Sequence, residues 1–317
     1  MASCRMGILR DTFDPVCNGH IEICRFFMKK KKLDRVYLIL EDLDEQPSLS
    51  SHQDRWRMLT AACAADKDLI PFDGGDPSLS VSYAGKKMTE LSLPASFDRS
   101  LCPSVNEYCN ALGLYGRKPA LKDPSARIDR LFNALNPHRF AHSLAVAGEC
   151  RRLSSLYGAD QTLAEEAGLF HDCAKCLPLS EMQTVVLDSG TIPEAEVLAS
   201  GALLHSIAGA IIAERDYHIT EPEELLAIRY PNTGCVGMTK LAMIVCLADY
   251  IEPNRDPFPL LDKVRRLADA SLEKALLLSL ENTISHVRSK GRYLYPGTVE
   301  TVGWLRTLPA VVQQAAE

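Results

Sequence analysis

The sequence predicts a small α/β unit followed by an all-helical unit. In the first part of the chain, short apolar and β-branched runs alternate with helical patterns, which is typical of a parallel sheet with helices packed against it. After a segment rich in Pro, Lys and Asp at residues 116–125, helical patterns follow one another with little strand signal. Because 317 residues are more than one hydrophobic core usually serves, we predict two domains, residues 1–118 and 119–317.

Hydrophobic patterning defines the elements of the first domain. The predicted elements are strands at residues 5–9 and 35–40, helices at residues 18–31 and 52–66, and a segment at residues 80–91 that begins extended and turns helical. The second strand, RVYLIL, is almost wholly apolar, as expected for a strand buried on both faces. Asn18 is the expected N-cap of the first helix.

The second domain is expected to be a helical bundle. Its predicted helices are residues 139–158, 162–172, 194–216, 221–228, 239–251 and 260–289. The first of them has an apolar face and a stop at Gly158, because glycine readily adopts the left-handed conformation that ends helices. Thr162 and Glu165 have the spacing of a capping box at the start of the second.

Composition excludes several broad classes of protein. Acidic residues outnumber basic ones, 41 to 35, which disfavours nucleic acid as a partner. We expect no membrane partner, because no segment approaches 18 uncharged apolar residues, and the N-terminus lacks the apolar core of a secretion signal. A cytoplasmic location is therefore expected. Whether the chain acts as a monomer or a homodimer stays open.

The cysteines indicate reduced thiols. Their number, 11, is odd, and they are scattered through a chain too large to need disulfides. Cys173 and Cys176 form a C-x-x-C pair without the second pair of a zinc site. Two buried or half-buried thiols are favoured over a redox function, because the surrounding pattern is not thioredoxin-like.

Three histidines and two aspartates on four predicted helices form the main candidate site. They are His142, His171, Asp172, His205 and Asp249. Mixed imidazole and carboxylate ligands suit zinc, iron or manganese, and such a metal makes hydroxide from water near neutral pH. The alternative is that the histidines are ordinary core residues. Asp172 and Asp249 argue against it, because both lie in apolar stretches where a carboxylate needs a cation or many hydrogen bonds.

The order H…HD…H…D resembles the HD-domain phosphohydrolases. Longer words extend the resemblance to the bacterial YqeK family, over roughly residues 125–306; these words are HRFAHSLAVA, YGAD, AGLFHDCAK, LLHSIAGA, AIRYPNTG, GMTKLAMIVCLADYIEPNRD and YPGTVET. The resemblance implies symmetric hydrolysis of diadenosine tetraphosphate to two ADP at a di-iron site. Iron is then the expected metal, with manganese, cobalt or zinc as alternatives.

The resemblance also implies a role for each site residue. His142, His171, Asp172 and Asp249 would hold one metal, and Asp172 would bridge to a second. Lys175, in the word HDCAK, would contact substrate phosphates, as would Arg229 and Arg255; the alternative for the two arginines is a surface or capping charge. Asp172 and Lys175 are thus the candidate catalytic residues.

One departure from the family affects the second metal. Where the family reads R-Y-H-T-T-G, this chain reads RYPNTG at residues 229–234. The missing histidine would be a ligand beside His205, and the side chain of Pro231 cannot coordinate a metal. Asn232 offers a weaker oxygen ligand one position along. We therefore expect an intact first metal site, a weakened second one, and reduced or altered activity. A nucleotide-binding protein without turnover is an alternative.

The start of the chain resembles nicotinate mononucleotide adenylyltransferase, which implies a Rossmann-like nucleotidylyltransferase fold. Thr12, Phe13, Gly19 and His20 match its G-G-T-F-D-P-x-H-x-G-H motif, but Cys17 replaces the first histidine. Arg10 and Asp11 replace the glycine pair, and the segment between Leu91 and Leu101 is too short for two of the family's strands. Thr12, Phe13, Cys17 and His20 are thus expected to mark a degenerate nucleotide site in a truncated domain. An active adenylyltransferase is the alternative.

Overall fold

The computed structural model describes residues 5–42, 49–74, 88–94, 96–119, 121 and 123–312. The chain divides into two compact units, Met1–Ala120 and Leu121–Glu317. The boundary expected from the sequence, between residues 118 and 119, lies close to this division. In the described part of the chain, no helix combines the length and apolar character needed to span a bilayer.

The first unit is a small parallel sheet with helices. Its elements are β1 (Met6–Asp11), α1 (Asn18–Lys31), β2 (Arg35–Leu40), α2 (His52–Cys63), β3 (Leu69–Asp73), β4 (Met88–Glu90) and α3 (Pro103–Leu112). The strand order is β3-β2-β1-β4, with every neighbouring pair parallel. Five of the six residues of β2 are buried, which confirms the expectation from its apolar run. On one face, Met6, Ile8, Tyr37 and Ile39 form a buried cluster.

The sequence missed two strands of this sheet. β3 was not predicted, and the end of the segment at residues 80–91 was predicted to be helical but forms β4. Met88 pairs with Met6 across the sheet, so a partner more than 80 positions away along the chain determines the conformation of this strand. Local propensity carries no information about such a pairing. Residues 80–87 lie outside the described part of the chain.

The second unit is helical throughout its described residues. Its helices are α4 (Pro124–Ala134), α5 (Pro137–Tyr157), α6 (Gln161–Phe170), α7 (Leu179–Asp188), α8 (Ala195–Leu198), α9 (Gly201–Tyr217), α10 (Pro222–Arg229), α11 (Lys240–Ile251), α12 (Leu261–Ala268), α13 (Leu272–Ser289), α14 (Pro296–Leu305) and α15 (Pro309–Val312). Eight consecutive residues of α11, Leu241 to Ala248, are buried, so this helix lies in the middle of the bundle and packs on α5, α6 and α10.

Several predicted helix ends need correction, because capping depends on which side chain reaches a free backbone N–H. Cys17, not Asn18, is the N-cap of α1, and Asp160, not Thr162, is the N-cap of α6. The Asp160 side chain accepts from the backbone N–H groups of Thr162 and Leu163. The predicted stop of α5 at Gly158 is confirmed; this glycine has a φ of 64°.

Two predicted helices are each interrupted once. The helix expected at residues 194–216 is divided into α8 and α9, and the helix expected at residues 260–289 is divided into α12 and α13. A serine N-cap marks the second break: the Ser271 hydroxyl accepts from the N–H of Lys274. The helices α4, α7, α14 and α15 were not predicted.

The environment of Glu224 in α10 predicts how the stability of the protein depends on pH. Its side chain is buried, and its Oε1 has no hydrogen-bond partner among the described residues. Burial, and then the nearby charge of Glu166, raises the pKa of Glu224 from 4.5 to about 8. A raised carboxyl pKa in the folded state means that stability falls as the pH rises from the unfolded pKa to the folded one. We expect Glu224→Gln to raise the free energy of unfolding at pH 9 by about 1–3 kcal/mol.

At pH 5 the same substitution should change stability much less, because most of the penalty is then absent. Thermal unfolding at both pH values, with the exposed Glu214→Gln as control, measures the difference. An equal effect of Glu224→Gln at pH 5 and pH 9 would contradict the assignment of a buried, raised-pKa carboxyl.

Candidate metal centre

The five residues predicted as metal ligands lie together in the second unit. His142 is in α5, His171 and Asp172 directly follow α6, His205 is in α9, and Asp249 is in the last turn of α11. Asp249 Oδ1 lies 3.1 Å from His142 Nε2 and 3.8 Å from His171 Nε2. Asp172 Oδ2 lies 3.7 Å from His171 Nε2, and Asp172 Oδ1 lies 3.1 Å from His205 Nε2.

Close helix packing makes this cluster possible. α5 and α6 make the most extensive contact between any two helices of the unit. A Cβ added at Gly168 would lie 2.7 Å from Sγ of Cys150, so only glycine lets α6 approach α5 this closely. The same Gly168 supplies a carbonyl oxygen 2.6 Å from His171 Nδ1. The residue that allows the close packing therefore also orients a histidine of the centre.

Each histidine is held by its Nδ1, which leaves Nε2 directed at the cluster. His171 Nδ1–H donates to the carbonyl of Gly168 at 2.6 Å, and His205 Nδ1–H donates to the carbonyl of Gly201 at 3.1 Å. His142 Nδ1 lies 3.2 Å from the carboxylate of Glu252. Carbonyl and carboxylate oxygens only accept, so Nδ1 carries the proton in each case. This is the arrangement that metal-binding histidines adopt in proteins.

The unsatisfied atoms of the cluster fit a metal ion. Nε2 of His142 and Nε2 of His171 are buried and have no hydrogen-bond partner within the described ranges. One ligand atom each from His142, His171 and Asp249 lies within 4.8 Å of the others. Buried polar groups normally have partners, so atoms without one at the same spot indicate a missing partner. Imidazole nitrogens with carboxylate oxygens suit a divalent transition metal.

The electrostatics favour a cation at the same position. Burial lowers the pKa of His142, but the adjacent carboxylates of Asp249 and Glu252 outweigh it and raise the pKa to about 9. Burial lowers the pKa of His171 below its ordinary value, which disfavours the charged form of this imidazole. Burial by itself would raise the pKa of Asp172 and Asp249, but the imidazoles around them lower it below its usual range. Both carboxyls are therefore ionised, and a positive charge between them is stabilised.

Two residues of the centre escaped the sequence analysis. Arg139 Nη1 lies 3.1 Å from Asp172 Oδ2, and Glu252 orients His142. The spacing along the sequence could have identified both of them. Arg139 precedes His142 by three positions, and Glu252 follows Asp249 by three. Residues spaced by three on a helix lie on the same face, so a polar residue at that spacing from a ligand is a candidate for a supporting contact.

A large cavity opens at the centre. It has a volume of about 990 Å³ and is lined by Arg139, His142, Asp249 and Arg255, among others. Pro231 and Asn232 also line it. The predicted phosphate contact Arg255 thus lies in the same cavity as the candidate ligands, and Lys175 Nζ lies 3.0 Å from His205 Nε2.

Arg229 lies elsewhere. It lines a smaller cavity of about 150 Å³ together with Tyr230 and Tyr295, and its guanidinium carbon is 5.9 Å from the centre of the Tyr230 ring. A role for Arg229 in phosphate binding stays a prediction.

Comparison with known proteins places this centre in a family. The HD domain model matches residues 139–254, a range that includes all five candidate ligands and ends just beyond Asp249. The chain is 37% identical over 171 residues to the symmetrical bis(5'-nucleosyl)-tetraphosphatase of Bacillus subtilis, a match that covers 54% of this chain and 91% of that protein. The chain belongs to this HD-domain family. The corresponding enzyme of Halalkalibacterium halodurans is 40% identical over 172 residues, covering 54% and 90%.

Two further likenesses extend the comparison. A solved HD superfamily hydrolase from Clostridium acetobutylicum, described as involved in NAD metabolism, is 39% identical with a TM-score of 0.55; the match covers 57% of this chain and 95% of that one. A Mycoplasma genitalium protein named probable nicotinate-nucleotide adenylyltransferase/Ap4A hydrolase is 30% identical over 148 residues, covering 45% of this chain and 41% of that protein. The helical HD fold predicted for the second unit is confirmed.

In the first unit, the chain itself covers the expected nucleotide site. The N–H groups of Asn18 and Gly19, at the start of α1, donate to the carbonyls of Ser100 and Asp98 at 2.8 and 2.9 Å. In a phosphate-binding helix these N–H groups would point at the anion. His20 lies between Phe13 and Phe97, with ring centres 5.1 Å away on either side. A phosphate could bind here only by displacing this segment.

Asp11, Cys17 and His20 replace the expected phosphate contacts with contacts to one another. Thr12 takes part through its N–H, which donates to Asp11 Oδ1 at 2.6 Å. His20 Nε2 lies 3.2 Å from Asp11 Oδ2, and His20 Nδ1 accepts from the N–H of Cys17 at 3.0 Å. Asp11 stands where the family has a glycine, and its negative charge repels phosphate. These contacts agree with the expected degeneration of the site.

The C-x-x-C pair consists of two separate thiols. Cys173 is buried, and its Sγ donates to the carbonyl of Gly209 at 3.4 Å; Cys176 is exposed, and its Sγ accepts from Asn136 Nδ2 at 3.4 Å. Burial raises the pKa of the Cys173 thiol, which makes it a poor nucleophile. One buried and one exposed thiol favour the structural interpretation over a redox function.

Glu252 provides a test of the centre that leaves every candidate ligand in place. Glu252→Gln removes the negative charge that orients His142, so we expect the affinity for divalent metal to fall by about 10–100-fold. Titration of the metal-free protein with Mn²⁺, followed by the electron paramagnetic resonance of the free ion, measures the change. Glu181→Gln, at an exposed position of α7, is the control. Unchanged affinity in Glu252→Gln would count against His142 as a ligand.

Proposed function

We propose that the second unit is a metal-dependent phosphohydrolase that cleaves dinucleoside polyphosphates, most specifically diadenosine tetraphosphate to two ADP. One observation carries the proposal: two buried imidazole Nε2 atoms without a hydrogen-bond partner in the described residues converge with two carboxylates. His142 and Asp249 of this cluster line a cavity of about 990 Å³. The relatives named symmetrical bis(5'-nucleosyl)-tetraphosphatase support the choice of substrate.

The metal ligands in this proposal are His142, His171, Asp172 and Asp249, with His205 beside Asp172. When bound there, a divalent ion supplies Lewis-acid chemistry: it draws electron density from a phosphoryl oxygen and makes water more acidic. We propose iron, because the family resemblance implies it, although manganese, cobalt and zinc accept the same donor atoms.

The cationic side chains of the centre suit a polyphosphate. Arg139, Arg255 and Lys175 lie around the candidate ligands and are positioned to neutralise the charge of the phosphate chain. Stabilising charge where it develops is the main contribution a protein makes to phosphoryl transfer. Lys175 and Asp172 are the proposed catalytic residues.

The reaction is a hydrolysis with balanced products. The oxygen of one water forms a bond to an inner phosphorus, and the bond from this phosphorus to the central bridging oxygen breaks. The bridging oxygen leaves with the other half of the substrate, so both products are nucleoside diphosphates. The two protons of the water end on the products or the solvent.

For the first unit we propose a truncated Rossmann-like nucleotidylyltransferase domain without activity, with the domain boundary near residues 118–119. Its parallel sheet and the motif residues Thr12, Phe13 and His20 support this ancestry. An active adenylyltransferase is the second candidate function, and the name of the Mycoplasma relative favours it. The covered N-terminus of α1 argues against it.

Asp172 tests the hydrolase assignment. Because its two oxygens face both halves of the centre, Asp172→Asn should remove bound metal and hydrolysis of diadenosine tetraphosphate together. Metal analysis and chromatography of the nucleotide products measure both losses, with the exposed Asp188→Asn as control. Unchanged hydrolysis of diadenosine tetraphosphate by Asp172→Asn would contradict the hydrolase assignment. Tight nucleotide binding by the unsubstituted chain with no turnover under iron, manganese or cobalt would favour the non-enzymatic alternative.

The second candidate function has a direct assay. Incubation of the protein with ATP and nicotinate mononucleotide should release no pyrophosphate above background, because the N–H groups needed for phosphate are already bonded. His20→Ala should leave hydrolysis of diadenosine tetraphosphate unchanged. Pyrophosphate release that disappears in His20→Ala would instead show a working adenylyltransferase.

A further inference from the structure

The centre has a second position that attracts a cation, formed by Asp172 and His205. His205 Nδ1 lies 3.1 Å from the carbonyl oxygen of Gly201, which leaves Nε2 directed at Asp172. Nε2 lies 3.1 Å from Asp172 Oδ1. A buried carboxylate is costly unless a positive charge lies beside it.

Lys175 supplies that charge. Its Nζ lies 3.0 Å from His205 Nε2 and 3.6 Å from Asp172 Oδ1, so the ammonium contacts both atoms. Asp172 and His205 are almost fully buried, with side-chain exposures of 4% and 1%, whereas 25% of the Lys175 side chain is exposed. The Lys175 side chain is therefore partly in contact with solvent, whereas the two side chains that its Nζ contacts are not.

A second metal ion does not fit the donors that remain here. The resemblance implies that another histidine would complete this position, but the chain has Pro231. Pro231 is buried and lines the same cavity as His142 and Asp249. Its ring offers no lone pair. The donors left are one imidazole, one oxygen of a shared carboxylate and the weaker amide oxygen of Asn232, which lines the same cavity. A lysine ammonium already contacts the first two.

We propose that this enzyme has a mononuclear centre in which the Lys175 ammonium takes the place of the second metal ion. The inference rests on the proposed function for its catalytic meaning, but its central claim concerns metal content alone. Asp172 then has two distinct contacts: Oδ2 faces His142, His171 and Arg139, and Oδ1 faces the ammonium.

The charge balance gives the replacement a physical reason. An ammonium carries one positive charge where a metal would carry two, and it cannot act as a Lewis acid. It can still neutralise a phosphate oxygen and donate hydrogen bonds to it, because lysine has three donors. Loss of the histidine at position 231 therefore removes a metal ligand without leaving Asp172 and His205 unpaired.

Counting metal ions tests the proposal without any substrate. The full chain is made metal-free, incubated with excess Mn²⁺, separated from unbound ion, and examined by elemental analysis and electron paramagnetic resonance. We expect one ion per chain with the spectrum of isolated Mn²⁺. Two ions per chain with an exchange-coupled spectrum would overturn the proposal.

Paired variants identify the residues responsible. Lys175→Met with Pro231→His removes the ammonium and restores an imidazole, so the double variant should bind two coupled ions. Lys175→Met with Pro231→Leu, which adds no ligand, is the matched control and should stay at one strongly bound ion. Lys175→Arg keeps the charge and should also stay at one. A folded Lys175→Met/Pro231→His variant, verified by its thermal transition, that binds one ion would contradict the proposed exchange.

The outcomes separate this inference from the proposed function. No bound ion in the unsubstituted chain would overturn both. One ion without hydrolysis of any dinucleoside polyphosphate would overturn the proposed function and support the mononuclear centre. Two ions with full hydrolysis would overturn only the mononuclear centre.

Discussion

The buried carboxylate of Asp172 is the constraint on which the second unit depends. A charge with only 4% of its side chain exposed is costly to bury unless cations and hydrogen-bond donors surround it. Arg139 and the imidazole of His171 lie beside one oxygen, and Lys175 and His205 lie beside the other. These partners come from α5, α9 and the turn directly after α6, so the contacts to one carboxylate connect three parts of the bundle. Removing a single partner would therefore raise the cost of burying this charge.

The bundle orients its histidines mainly with its own backbone. The carbonyls of Gly168 and Gly201 hold His171 and His205 within the same turn or helix, so the ring orientation is set locally, before any metal arrives. His142 is the exception, because the side chain of Glu252 holds it from the end of α11. Groups that support the ligands are often as important for metal affinity as the ligands themselves. The centre is therefore preorganised on helix ends, where rigid elements meet and the large cavity opens.

The two units differ in whether their candidate binding groups already have hydrogen-bond partners. In the second unit, Nε2 of His142 and Nε2 of His171 have none among the described residues. In the first unit, the N–H groups expected to bind phosphate are hydrogen-bonded to the protein. At the start of α1, backbone carbonyls of Asp98 and Ser100 occupy the N–H groups, and Asp11 bonds to His20 instead of leaving it for a ligand. The sheet of the first unit is nevertheless well packed, with a buried central strand. The core of such a domain does not depend on its site, because a hydrophobic core depends on apolar burial and not on the few polar groups of a site.

The sequence by itself determined the class of each unit, the identity of the five candidate ligands and the presence of a side chain without a donor atom at Pro231, because periodicity and residue type are local properties. It could not determine that β4 pairs with β1, since that pairing joins distant parts of the chain. It also missed Glu252 and placed helix starts one or two positions away, because a cap depends on which side chain reaches a free N–H. Only the tertiary structure decided that the ammonium of Lys175 lies between His205 and Asp172. The physical reason is distance: electrostatic contacts act over a few ångströms in space, whatever the separation along the chain.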